Sequence, residues 1–166
     1  TRSTLVSWAR RCVEETASVI IGAGTVTKVS EVNNLSGLGC QMIVSPNTDK
    51  DVIKATKDKG MLSFPGVLTP SECFSAINSG ADALKIFPAF KLGIDGFKAM
   101  KAVLPSDVKT YGVGGINENH FHEWLLAGLT GFGIGSNLFH PSMNDDDIKT
   151  TAKKIVIKYD SWFAKR

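Results

Sequence analysis

The stretch GADALKIFPA, residues 80–89, sets a lysine inside an apolar run of strand length. In an extended strand Ala83, Lys85 and Phe87 share one face, and Leu84 and Ile86 share the other. Lysine is seldom buried unless it is paired or functional. One reading is a nucleophile: desolvation lowers the pKa of the amine, and a neutral amine attacks a ketone to give a Schiff base. The other is a lysine at a strand edge, its stem along apolar surface and its ammonium in water. The strand alone leaves both open.

Five similar runs surround it: VIIGAGT (19–25), QMIVSP (41–46), MLSFPG (61–66), TYGVGG (110–115) and GFGIGS (131–136). Each is rich in β-branched or aromatic residues and closes on Gly, Pro, Ser or Thr. They recur about every twenty residues, with amphipathic stretches between them that read as helices. Thr69-Pro70-Ser71-Glu72 carries a cap, a proline at the first helical position and a glutamate three residues after the cap; Gly80 is the stop. Further helices are expected over 117–128, capped by Asn117 and stopped by Gly128, over 94–103, over 145–165 and over 4–17. The tail helix opens on Asp145, Asp146 and Asp147, and Ile148, Ala152, Ile155, Tyr159 and Phe163 form its apolar stripe. Strict alternation of buried strands and helices predicts a parallel sheet. An open doubly wound sheet and a (β/α)8 barrel both fit, although a barrel needs eight units and six strands are visible.

The 166 residues suffice for one domain with a real core, and 43% hydrophobic with 21% charged residues is a globular composition. The net charge is +3, with no basic run of the kind that binds nucleic acid. No run reaches the ~20 apolar residues of a membrane span, and no signal peptide is visible. Cys12, Cys40 and Cys73 have neither metal-ligand nor CxxC spacing; they read as reduced thiols of a cytoplasmic protein.

The glycine pairs are the second candidate site. VGGI (113–116) and GIGSN (133–137) close neighbouring runs, where small residues free backbone N–H groups for an anion, a phosphate above all. GAGTV (22–26) is not a dinucleotide fingerprint, but Thr25 offers a hydroxyl at another strand end. His120 and His122 stand two apart on one predicted helix and so face apart, and they and His140 read as surface residues rather than metal ligands. Glu14, Glu15, Glu31, Glu72, Glu118 and Glu123 fall in helical stretches. No carboxylate ends a visible strand, so the general base that Lys85 needs is not apparent.

IGAGTV, IVSPNTD, FPGVLTP, GADALKIFPA, VGGI and GIGS, in this order and spacing, resemble the 2-keto-3-deoxy-6-phosphogluconate / 2-keto-3-deoxy-6-phosphogalactonate aldolases from about residue 20 to 140. The resemblance implies a (β/α)8 TIM barrel, a homotrimer, and no metal or organic cofactor. It implies that Lys85 forms the Schiff base with pyruvate, that Thr25 lies near the pyruvyl carboxylate, and that Pro46 and Phe87 line the pocket. Gly114, Gly115, Gly135 and Ser136 match phosphate-holding positions. Val113 stands where gluconate-type enzymes usually carry a hydroxyl, which favours the galactonate type. The expected reaction is cleavage of the phosphorylated keto-deoxy sugar acid to pyruvate and glyceraldehyde 3-phosphate. The alternatives are a non-catalytic phosphate-binding barrel remnant, or 4-hydroxy-2-oxoglutarate as main substrate.

By this resemblance residues 1–166 form a single barrel domain holding strands three to eight. The family's second strand carries a proton-moving glutamate, expected just before residue 1, with Arg2 as the remnant of a following basic residue. The natural protein is then expected to be longer by one β–α–β unit, and residues 1–166 alone to be poorly soluble and inactive.

Overall fold

The computed structural model describes residues 19–164. The helix expected over 4–17, Arg2, Cys12 and the Glu14–Glu15 pair lie outside these residues. The described chain divides into two compact units. One runs to Lys85 and includes Leu104–Lys109; the other comprises Ile86–Val103 and the chain from Thr110 onward.

In the first unit β1 (Gly22–Gly24), β2 (Met42–Val44) and β3 (Leu62–Phe64) form a parallel sheet in the order β1-β2-β3. Gly22, Met42 and Leu62 stand level, as do Gly24, Val44 and Phe64. Two helices, α1 (Val29–Ser36) and α2 (Lys50–Asp58), follow β1 and β2. Val26, Val32, Ile43, Val52 and Met61 form one buried cluster, joined by Ala23, Leu35, Cys40 and Ala55. Each buried aliphatic side chain contributes roughly 1.5–3 kcal/mol. Ala23 and Ile43 therefore face this core, and by the two-residue period of a strand Met42, Val44, Leu62 and Phe64 face the opposite way. That second face is only half-buried.

The sequence predicts one strand over 61–66. The structure breaks it into β3 and β4 (Gly66–Val67), with Pro65 between them. Proline has no N–H to donate, so the ladder is interrupted there. Next comes α3 (Pro70–Asn78), whose predicted capping box is present: the Thr69 hydroxyl accepts from the Glu72 N–H at 3.3 Å, and the Glu72 carboxylate accepts from the Thr69 N–H at 2.8 Å. β5 spans Leu84–Ile86, and the unit boundary falls inside it.

The second unit holds α4 (Ala89–Lys101), β6 (Thr110–Val113), α5 (Phe121–Leu126), β7 (Gly131–Gly133) and α6 (Asp145–Phe163). β6 and β7 are parallel, with Tyr111 opposite Gly131 and Val113 opposite Gly133. Aromatic rings fill its core: Phe97 packs on Trp124 with centroids 5.6 Å apart, and Phe121 stacks on Phe132 at 4.1 Å. Tyr159 meets both Phe121 and Phe132 edge-on.

Three helix expectations change. α4 begins at Ala89 instead of 94, because Pro88 starts a first turn that Gly93, at φ 69° and ψ 172°, breaks from the rest. α5 begins at Phe121 instead of 117, because the Asn117 side chain accepts from the Asn119 N–H and shapes a turn. On α6, Ile148, Ala152, Ile155 and Tyr159 are half-buried as a stripe, but Phe163 is 54% exposed.

Candidate active site

Lys85 lies on β5 with 8% of its surface exposed, between Leu84 and Ile86, which are fully buried. Desolvation pushes the pKa of its amine below that of an ordinary lysine, since burial penalises the ammonium. The edge-lysine reading is therefore the weaker of the two.

The ladder fixes what stands beside it. Ala83 and Lys85 donate their N–H groups to the carbonyls of Ser63 and Pro65, at 3.4 and 2.9 Å. In a parallel pair this puts Ala83 level with Phe64 and Lys85 level with Gly66. Phe64 is level with Val44, so Pro46, two residues further along, belongs to the layer of Gly66 and Lys85. Pro46 cannot donate to the ladder, and the chain turns there. Thr25, the residue after β1, has φ 61° and is the one non-glycine residue with positive φ among those described. A β-branched residue in this region is strained by roughly 1–3 kcal/mol, the kind of strain that collects at functional sites. The Thr25 side chain is exposed, and the next N–H, of Val26, donates to Val44 O at 3.3 Å.

The second unit gathers Phe87, Val113, Gly114 and Gly115. Gly114 and Gly115 both have positive φ, 89° and 72°, so two successive positions favour glycine. A Cβ on Gly114 would lie 3.4 Å from the Phe87 ring, and one on Gly115 would lie 2.6 Å from Phe90 Cβ. The Phe90 N–H donates to Gly114 O at 3.2 Å. Val113 covers Gly133, where a Cβ would lie 2.6 Å from a Val113 methyl. Gly135 and Ser136 are exposed in the loop after β7. The Asn137 side chain ties that loop to the one after β6 by donating to Ile116 O at 3.2 Å.

Six carboxylates hold backbone N–H groups or lysines. Glu31 and Glu72 accept from backbone N–H groups at the starts of α1 and α3. Asp49 and Asp147 serve the starts of α2 and α6. Asp82 pairs with Lys57 at 2.7 Å and accepts from the Ser63 N–H; Glu118 pairs with Lys154 at 2.6 Å. Among the described residues no group of His, Cys, Asp and Glu could hold a metal. Cys40 and Cys73 stand as thiols, not joined in a disulfide, and burial raises the pKa of Cys73 to about 11. His120 Nδ1 accepts from the Asn117 N–H, His122 packs edge-on against Trp162, and His140 bonds Ser142.

Sequence reading assigned no role to Thr48, Gly66, Phe90 or Asn137. Thr48 and Gly66 lie in the quoted motifs IVSPNTD and FPGVLTP, but their hydrogen bonds join segments eighteen residues apart, and no local pattern announces them.

The family model for KDPG and KHG aldolase matches residues 2–154. This chain belongs to the KDPG and KHG aldolase family. It is 41% identical over 145 residues to a probable 2-dehydro-3-deoxy-6-phosphogalactonate aldolase of Rhizobium meliloti (strain 1021), covering 87% of this chain and 68% of that one. A solved structure described as native KDPGal superposes with a TM-score of 0.89 at 36% identity, covering 97% of this chain and 77% of that one. A KDPG aldolase from Legionella pneumophila, with pyruvate captured as a covalent carbinolamine intermediate, superposes with a TM-score of 0.75 at 25% identity, over 95% of this chain and 75% of that one. The fold is accordingly the α/β fold of these aldolases, of the TIM-barrel type, and membership of the family makes the chain a carbon–carbon lyase.

Proposed function

We propose that this aldolase cleaves 2-keto-3-deoxy-6-phosphogalactonate to pyruvate and glyceraldehyde 3-phosphate through a Schiff base on Lys85. The observation that carries the reading is the Lys85 amine, buried on β5 between Leu84 and Ile86, where desolvation lowers its pKa and favours the neutral, nucleophilic form. The galactonate substrate rests on the 41% identity to the phosphogalactonate aldolase and on the apolar Val113.

The amine attacks the C2 ketone to give a carbinolamine, and loss of water gives an iminium. A base takes the proton of the C4 hydroxyl, the C3–C4 bond breaks, and its electron pair passes into the iminium to form an enamine. The aldehyde product carries the phosphate away. Protonation of the enamine at C3 and hydrolysis release pyruvate and restore the amine. The electron sink is the iminium itself, so these steps call for no added metal or organic cofactor. The Thr25 hydroxyl serves the pyruvyl carboxylate, Pro46 and Phe87 act as walls, and the backbone of Gly114, Gly115, Gly135 and Ser136 holds the phosphate.

A homotrimer in the cytoplasm is the setting that the family resemblance supports, and Cys40 and Cys73 as thiols rather than a disulfide fit a reducing compartment. No helix among the described residues is long and apolar enough to cross a membrane. Light scattering measures the oligomer. Borohydride added with pyruvate tests the chemistry: a reduced pyruvyl adduct mapped to Lys85 supports the aldolase. Phosphate binding without an adduct would instead point to a non-catalytic member.

A further inference from the structure

The chain leaves the sheet at Pro46 and crosses directly over Gly66. A Cβ built on Gly66 would lie 2.2 Å from the Pro46 carbonyl oxygen, 2.4 Å from its carbon and 2.9 Å from the Asn47 nitrogen. The Pro46–Asn47 peptide thus occupies the space that any side chain at position 66 would need. Two hydrogen bonds hold it there. The Gly66 N–H donates to Asn47 O at 3.2 Å, and the Thr48 hydroxyl donates to Gly66 O at 2.8 Å. Thr48 is half-buried. Gly66 is the residue level with Lys85 on the neighbouring strand.

We propose that Gly66 and Thr48 are positioning residues that clamp the Pro46–Asn47 peptide as a fixed wall beside the Lys85 amine, and so set the affinity for the pyruvyl end of the substrate. This rests on the aldolase reading above. The clamp joins three segments in one layer: the turn after β2, the break between β3 and β4, and the strand of the lysine. Glycine at position 66 lets the peptide approach, and the threonine hydroxyl fixes its height. A wall held at a fixed height excludes water from the ketone and presents one shape to the carboxylate and methyl group of pyruvate.

The test uses full-length protein, pyruvate and borohydride, and reads the pyruvate concentration that gives half-maximal adduct. Thr48→Val keeps the volume and removes the hydroxyl, and Thr48→Ser keeps the hydroxyl. The expected result is a rise of about fivefold in half-saturating pyruvate for Thr48→Val, the worth of one net hydrogen bond. Maximal adduct yield is unchanged, and Thr48→Ser returns to within twofold of wild type. Gly66→Ala is expected to exceed the Thr48→Val effect. Should Gly66→Ala fail to fold, the threonine pair still decides. A Thr48→Val protein that melts at a lower temperature but saturates with pyruvate as wild type does would overturn the clamp and leave the aldolase reading standing. Absence of any adduct in the wild type would overturn the aldolase reading, and the clamp with it.

Discussion

Gly66 and Gly135 both stand beside residues assigned to substrate, yet for opposite physical reasons. At Gly66 a Cβ would collide with the backbone of the chain itself, 2.2 Å from the Pro46 oxygen. At Gly135 nothing lies within 4 Å of the position of a Cβ, and the residue is exposed. Its φ is not among the positive values that favour glycine. The protein needs the first glycine in order to pack; nothing in the fold demands the second. A glycine that the fold does not require is one whose smallness a ligand can use, which is the role proposed for the loop after β7.

The largest expected effect lies on the packed side of this contrast. Lys85→Met keeps the apolar stem and removes the amine, so the strand still packs. Turnover should fall on the order of 10³-fold or more for every substrate, phosphorylated or not, as when a group acting in the chemical step is removed. Cleavage by the full-length variant within tenfold of wild type would end the Schiff-base assignment. Gly135→Val should act on one substrate class only. Charge-assisted hydrogen bonds from backbone to phosphate are worth about 1.5–3 kcal/mol, so KM for the phosphorylated sugar acid should rise by about tenfold to a hundredfold. KM for unphosphorylated 4-hydroxy-2-oxoglutarate should barely move. Equal losses for both would remove the phosphate from this loop.

Stability should separate the glycines in the reverse order. Gly66→Ala forces the Pro46–Asn47 backbone to shift, an overpacking cost of about 1–3 kcal/mol. Gly135→Ala meets no atom and should change stability by less than about 0.5 kcal/mol. Urea denaturation of the two variants measures both, and equal destabilisation would erase the distinction.

Titration of Lys85 sharpens the packed side further. Its folded pKa lies below the ordinary lysine value of 10.5, so the unfolded chain binds its proton more tightly. Between the lowered value and the ordinary one the unfolded state carries more protons, and stability rises with pH in that window. Below the lowered value the penalty of burying the ammonium is felt in full. Lys85→Met has no such penalty, so its thermal advantage over wild type should shrink as pH rises toward 10.5. The rate of adduct trapping should follow the neutral amine, with its midpoint below that of an exposed lysine. A constant gap in melting temperature across that range would contradict the burial of a charged group.

Much of this was legible in the sequence because it rests on local rules. The period of two around Lys85 and the capping box at Thr69 are both set by residues within a few positions of one another. The break at Pro65 was legible in principle, since proline cannot donate to a ladder, but the run MLSFPG reads as one strand while its neighbours are unknown. The start of α5 was misplaced because Asn117 closes a turn with its side chain and only resembles a helix cap. The clamp from Thr48 to Gly66 could not be read at all: it depends on two strands standing in register, which is a tertiary fact. No carboxylate stands at the C-terminal end of a described strand, so the general base has no candidate there.

Val113 carries the smallest expected effect and the finest question. It stands opposite Gly133, which has no side chain, and its methyl fills the space that a Cβ there would take. An apolar residue at this point offers no hydrogen bond to a substrate hydroxyl, whereas a threonine of nearly equal volume would offer one. A site that hydrogen-bonds a hydroxyl discriminates between epimers more strongly than an apolar one. Val113→Thr should therefore raise kcat/KM for the gluconate epimer relative to the galactonate epimer. The change should be about twofold to tenfold, the range of a single net hydrogen bond of 0.5–1.5 kcal/mol. Because Gly133 leaves room beside it, the substitution introduces no clash, and the melting temperature should stay close to that of wild type. Competition between the two epimers in one reaction measures the ratio directly. An unchanged ratio would move the discrimination of C4 away from the strand end at Val113 and would leave the loop after β6 with phosphate binding alone.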